Sequence, residues 1–114
     1  MRDLSPANRR SRADTINPDA MREHAGDAAQ LLKALGNEKR LIMLCLLAEG
    51  ERSVGQINAE LDLSQSALSQ HLAILRADGL VETRRNAQTI YYKLVDGPAR
   101  QIIETLHGIY CEQR

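Results

Sequence analysis

Two sets of residues in this chain have types and spacings that can do chemistry. The first is a polar row, Gln65, Ser66, Ser69 and Gln70, with Ser64 ahead of it and His71 behind. Glutamine can pair bidentately with adenine, and serine bonds to several base edges. On a helix these positions share one side, because residues three and four apart are neighbours there. The second set is two cysteines, Cys45 and Cys111, 66 residues apart (111 − 45). A thiolate is a nucleophile and the target of oxidants and sulfane sulfur. In a reducing compartment two cysteines do not make a disulfide scaffold, so they are core fillers or a reactive pair.

The elements around the polar row are legible. Ser53 and Gln56 have capping-box spacing, and Ile57 and Leu61 mark the inner face of a short helix. Asp62 and Leu63 make a turn, Ser64 caps the next helix, and Leu68, Leu72 and Leu75 form its narrow apolar stripe. Asp78-Gly79 ends it, glycine supplying the left-handed residue. Residues 80–84 and 89–94 are β-rich, joined by a polar link from Arg85 to Gln88, which makes a hairpin. A helix-turn-helix followed by a β-hairpin wing is the expected order, with the second helix shaped for a DNA major groove. The fold class is therefore mainly α with a β-hairpin wing. Its DNA-facing set is Ser64, Gln65, Ser66, Ser69, Gln70 and His71, with Arg84, Arg85 and Gln88 at the wing within reach of phosphates or the minor groove. The free N–H groups at the start of the second helix suit a phosphate. His71 reads equally as a packing residue or a base reader, and a winged helix used only for protein contacts is the alternative for the whole module.

The cysteines sit in less regular surroundings. Residues 38–48 are nearly all apolar after Arg40, with Asn37 as cap and Gly50 as stop, which predicts a buried helix. Cys45 lies mid-run and by itself reads as a small core residue. Cys111 lies among charged residues, where packing gives no reason for cysteine. His107, four residues earlier on the same face, would favour its thiolate if protonated, while the helix C-terminal dipole would oppose it. The helix carrying Cys111 opens near Asp96-Gly97-Pro98 and is striped by Ala99, Ile102, Ile103, Leu106 and Tyr110, widened by Ile109. A first helix opens at Asn17-Pro18 and carries Met21, Ala25, Ala28, Ala29, Leu32 and Leu35 at helical spacing up to Gly36. A small domain cannot easily cover both terminal stripes. The same pair of helices from a second copy would, so a two-fold homodimer is expected through Leu32, Leu35, Ile102, Ile103 and Leu106.

The 114 residues suffice for one domain, taken as residues 17–114 after a disordered polar tail over 1–16. The core must be aliphatic, since the chain has no Phe and no Trp. Fifteen basic residues against fifteen acidic ones give zero net charge, which argues against indiscriminate coating of nucleic acid. The charge is segregated: Ser64 to Lys93 holds four basic residues against two acids, and Gly36 to Leu63 three against five. No run approaches a membrane span, and no apolar stretch follows Arg9-Arg10 as a signal would need, so a cytoplasmic protein is expected. An enzyme is not: there is no phosphate loop, no paired carboxylates in a cleft, and no third group to orient a Cys/His pair. A thiol-peroxidase use of Cys111 is the one enzymatic alternative.

The segments LLKALGNEKRLIMLCLL, LSQSALSQHLAILRADGLVETRR and QTIYYKL resemble the ArsR/SmtB family of winged-helix repressors, over nearly everything except the tail. The cysteine in LIMLCLL together with IYCEQR resembles the family's thiol-based branch. The resemblance implies a homodimer on an inverted-repeat operator in double-stranded DNA. It also implies that Cys45 and Cys111 form a disulfide or polysulfide link within one subunit when reactive sulfur species or oxidants appear, releasing DNA. No cofactor is implied. Metal sensing, the family's other habit, lacks its residues here. No cysteine stands near Leu61-Asp62-Leu63, and Asp96 is followed at the required spacing by Pro98 rather than histidine, with only His107 and Glu112 nearby. A metal-responsive or ligand-independent regulator is the alternative within the family.

Overall fold

The computed structural model describes residues 16–112. The tail expected over residues 1–16 lies, except for Ile16, outside the described residues. The chain divides into two compact units, Met1–Gln30 and Leu31–Arg114. In chain order the elements are α1 Pro18–Arg22, α2 Ala25–Leu35, α3 Glu38–Glu49, β1 Arg52–Ser53, α4 Val54–Glu60, α5 Gln65–Ala77, β2 Val81–Asn86, β3 Thr89–Leu94 and α6 Pro98–Tyr110.

The first helix is not continuous. Asn17 caps it as expected, its side chain accepting from the N–H groups of Asp19 and Ala20. At residues 23–24 the ladder tightens: Glu23 N–H donates to the Ala20 carbonyl and His24 N–H to that of Met21, both i→i−3 bonds. Neither Gly nor Pro stands at Arg22-Glu23-His24, so the local sequence carries no marker for this break.

From Leu31 onward the caps do much of the ordering. Asn37 accepts from Lys39 and Arg40 N–H groups and starts α3. The end of α3 is stapled by Arg52, whose guanidinium donates to the carbonyls of Leu46 (2.6 Å) and Gly50 (3.1 Å) and to the Glu49 carboxylate (2.8 Å). Helix ends leave carbonyls without intrahelical donors, and Arg52 supplies them. The capping box of α4 is complete, Ser53 and Gln56 bonding reciprocally. At the end of α5, Gly79 takes φ 73°, and Leu80 N–H reaches back to the Leu75 carbonyl at 2.9 Å, closing the helix in a left-handed cap.

The hairpin is longer than expected. Its strands run to Asn86 and from Thr89, so Arg85 lies in β2 rather than in the link, and the turn is Ala87-Gln88 alone. Ala87 adopts φ 60°, a conformation glycine takes without strain. A third strand is not legible in the sequence: the two residues of β1 pair with β3, giving an antiparallel sheet in the order β1-β3-β2. Two residues are too few to show a period.

The core is wholly aliphatic. Met43, Leu44 and Leu47 of α3 meet Ile57 of α4, Leu68, Leu72 and Leu75 of α5, Leu80, Val81 and Leu94 from the hairpin, and Ala99 and Ile103 of α6. Among the described residues no polar side chain is buried with them. The stripe of α5 thus faces inward, and its polar side faces water.

Candidate nucleic-acid interface and paired thiols

The candidate DNA-facing surface of α5 follows from that packing. Leu68, Leu72 and Leu75 fix the rotation of α5, leaving Gln65, Ser66, Ser69 and Gln70 exposed together on its N-terminal half. Ser64 is committed locally, its Oγ accepting from Ala67 N–H at 3.1 Å and lying 3.4 Å from Ser66 Oγ. Ser64 therefore sets the helix start, and the residues after it present hydrogen-bonding groups to solvent.

His71 is half-buried and its Nδ1 lies 3.2 Å from the Arg40 guanidinium. The same arginine donates to the carbonyls of Ala34 (2.7 Å) and Lys33 (3.4 Å). Burial, and then the Arg40 charge, push the His71 pKa below the ordinary histidine value, so at neutral pH its ring is neutral and accepts from Arg40. Of the two readings open for His71, this geometry favours packing: it links α5 to α3 and the end of α2.

The wing arginines separate. Side chains alternate across a strand, so Val81, Thr83 and Arg85 share the face packed toward the core, while Glu82, Arg84 and Asn86 share the other. Arg84 lies on that outer face and is engaged: Nε and Nη2 donate to the Glu51 carboxylate at 2.8 and 2.7 Å, and its guanidinium sits over the Tyr91 ring, 4.6 Å from the centroid. Arg85 and Gln88 are exposed, and Arg85 has no ion-pair partner among the described residues.

Both cysteines are free and exposed. For Cys45 this corrects the sequence expectation. Although α3 is apolar along its length, Met43, Leu44 and Leu47 are buried and Leu41, Leu46 and Ala48 pack partly against the core, while Cys45 falls on the outer side with Ile42 and Glu49. Partial desolvation raises its thiol pKa, and the Cys111 and Glu49 charges raise it further. Arg100 of α6 donates to the Ala48 carbonyl of α3 at 3.4 Å, and Cys45 shares one cavity with His107 and Glu112, so the end of α6 lies beside α3. Cys111 closes that helix, its N–H donating to the His107 carbonyl at 2.8 Å. His107 is turned elsewhere, with Nδ1 3.3 Å from Glu112. A cavity of about 390 Å³ opens against Cys45, lined among others by Glu49, Arg100, Ile103, Glu104 and His107. No three His, Cys, Asp or Glu side chains among the described residues are grouped to hold a metal ion.

The faces expected to pair two copies divide. Leu35 and Ile103 are buried in this chain's own core, which leaves little of either side chain for a second copy. Leu32 is 59% exposed, and Ile102 and Leu106 are half-buried. Ile109 and Tyr110, left out of the expected interface set, are 45% and 78% exposed and extend the same apolar surface of α6.

Residues 37–83, from the α3 cap through the helix-turn-helix into the first wing strand, match the family model described as bacterial regulatory protein, arsR family. The transcriptional activator HlyU of Vibrio cholerae serotype O1 is 50% identical over 97 residues, 85% of this chain and 90% of the relative. The chain belongs to the ArsR family. The biofilm growth-associated repressor of Agrobacterium fabrum is 47% identical over 92 residues, 81% of this chain and 79% of the repressor. A solved structure of reduced HlyU from Vibrio cholerae N16961 superposes with a TM-score of 0.77 at 52% identity, covering 82% of this chain and 98% of that one. As an ArsR-family protein with this winged helix-turn-helix, the chain is a DNA-binding transcriptional regulator and not an enzyme. No described helix is long and apolar enough to cross a membrane.

Proposed function

We propose that this protein is a repressor that binds an inverted-repeat operator as a homodimer in the cytoplasm, and that a Cys45–Cys111 dithiol switches its affinity for DNA. The observation that supports the switch is that both thiols are exposed, Cys45 on α3 and Cys111 at the cap of α6, the helix that lines the cavity at Cys45. The reading face carries the specificity: Gln65, Ser66, Ser69 and Gln70 project from a helix whose other side is locked in the core.

The chemistry needs only reactive sulfur of the persulfide class. A Cys111 thiolate attacks the sulfane sulfur of a low-molecular-weight persulfide, giving a Cys111 persulfide and releasing the parent thiol. Cys45, as the thiolate after losing its proton to solvent, then attacks the inner sulfur, forming the Cys45–Cys111 disulfide and expelling hydrosulfide, which takes up a proton to leave as hydrogen sulfide. In total, two protein thiols and one persulfide give one disulfide, one small thiol and one hydrogen sulfide. If both protein thiols are first persulfidated, their condensation leaves a trisulfide and releases one hydrogen sulfide. The link would pull α6 against α3 and, through the apolar surface of α6, alter the spacing of two reading helices in the dimer. A typical coupling of roughly 1 to 3 kcal/mol between link and DNA is enough for a working switch.

The test selects duplexes from random sequence with the reduced protein, then measures stoichiometry and affinity before and after persulfide treatment. An inverted repeat bound by two chains and released on treatment is expected. A site without two-fold symmetry, or bound by one chain, would remove the dimer from the proposal. Leu106→Asp should weaken dimers without disturbing Leu35 or Ile103, and normal dimers in that variant would move the interface elsewhere.

A further inference from the structure

We infer that Arg84 is not a DNA-phosphate contact but the strap that positions the wing, and that Glu51 is its anchor, leaving Arg85 as the wing cation available to DNA. Tyr91 of the central strand pairs with Arg84 on one side and Ser53 on the other, so the three strands meet at one level. Glu51 stands two residues before Ser53 and so leans to the same face. To reach it, the Arg84 side chain crosses the whole width of the sheet. It does so lying over the Tyr91 ring, and ends in a two-point bond to the Glu51 carboxylate. One side chain thereby joins the outer strand, the central strand and the loop that follows α3.

A second pair on this outer face continues the pattern. Lys93 lies 3.5 Å from Glu82, its directly opposite partner in the ladder. The outer face is thus a closed set of opposite charges. Arg85 projects on the other face, the one that continues from buried Val81 toward the side where α5 packs. The chain has no net charge to spend on DNA, and its two adjacent wing arginines divide the work. A two-residue β1 makes a weak hinge for a hairpin of two six-residue strands. The strap supplies what that short strand cannot.

The test is the salt dependence of binding to the selected operator and to random duplex, because a lost phosphate contact lowers the slope by about one and a lost positioning contact does not. Arg85→Ala should reduce the slope by about one on both DNAs. Arg84→Ala, Arg84→Lys and Glu51→Gln should each leave the slope unchanged and weaken operator binding by about two- to five-fold, in the range of one exposed ion pair. Hydrogen exchange of the β3 amides should quicken in all three. The exchanged pair, Glu51→Arg with Arg84→Glu, should recover operator affinity and β3 protection. The inference is overturned if Arg84→Ala flattens the salt slope, or if Glu51→Gln tightens binding to random DNA, since Arg84 would then be a phosphate ligand masked by Glu51. Failure of the exchanged pair to recover β3 protection would equally remove the strap. None of these outcomes depends on the thiols.

Discussion

The helix-turn-helix and the thiol site are built in opposite ways. From Ser53 to Leu80 nearly every structural decision is made within a few residues: a capping box, a serine cap, a three-leucine stripe, a glycine stop. Around Cys45 nothing is local. Cys45 and Glu49 come from α3, while Arg100, Ile103, Glu104, His107 and Cys111 come from α6 and its C-terminal cap. The helix-turn-helix is thus ordered largely by local caps and stops, while the surroundings of Cys45 depend on α6 lying against α3. On the proposed switch, a link between Cys45 and Cys111 would act on α6 while leaving the local caps of the helix-turn-helix in place.

The contrast can be broken by core substitution, where the largest effect is expected. Leu75→Ala empties a fully buried position beneath the reading helix and should cost about 2 to 5 kcal/mol in chemical denaturation. Ile102→Ala, on the half-buried side of α6, should cost clearly less in the same measurement. Equal losses would mean that α6 is as deeply built in as α5.

Next in size is base reading. Gln70→Ala should lose about 1 to 3 kcal/mol of discrimination between operator and random duplex if Gln70 pairs with a base. An equal loss on both DNAs would remove Gln70 from the reading set. Smaller again is the cap: Ser64→Ala should lower stability by about 1 kcal/mol, through the lost bond to Ala67 N–H, while leaving thiol chemistry untouched.

The finest distinction is in thiol labelling. A thiol whose pKa is raised stays protonated further up the pH scale, so its thiolate, and its rate of alkylation, climbs only as pH passes above the ordinary thiol range. Cys45 should therefore label slowly at neutral pH and accelerate at higher pH than an unfolded-chain thiol does. Peptide mass mapping of iodoacetamide labelling against pH reads this directly. Cys111→Ser removes one of the charges that raise the Cys45 pKa and should bring that acceleration to lower pH.

The same contrast explains what is legible in the sequence. Ser53, Ser64, Gly79 and the leucine stripe are readable because caps and periods act over one or two turns. The aliphatic core follows from the absence of Phe and Trp. The orientation of Cys45 is not readable: an apolar run has no visible period, so which third of α3 faces inward is decided by α5 and α6 packing against it. Leu35 and Ile103 are covered within this chain, and a stripe alone does not say whether its cover comes from its own chain or from a second copy. Arg84 and Arg85 look alike in sequence. Only strand register puts them on opposite faces and delivers one of them to Glu51. The Arg52 staple and the Arg40–His71 link join residues 6 and 31 positions apart, beyond any local pattern.

The most direct test of the account is operator binding by the wild-type protein, Cys45→Ser and Cys111→Ser, each reduced and then treated with a persulfide donor. Fluorescence anisotropy of a labelled inverted repeat would be read alongside the intact mass of the same samples. All three proteins should bind alike when reduced. After treatment the wild-type chain should carry an internal link between Cys45 and Cys111 and bind about 5- to 150-fold more weakly, while neither single mutant changes affinity. Release of DNA by either mutant, or an internally linked wild-type protein that still binds fully, would contradict the two-thiol switch.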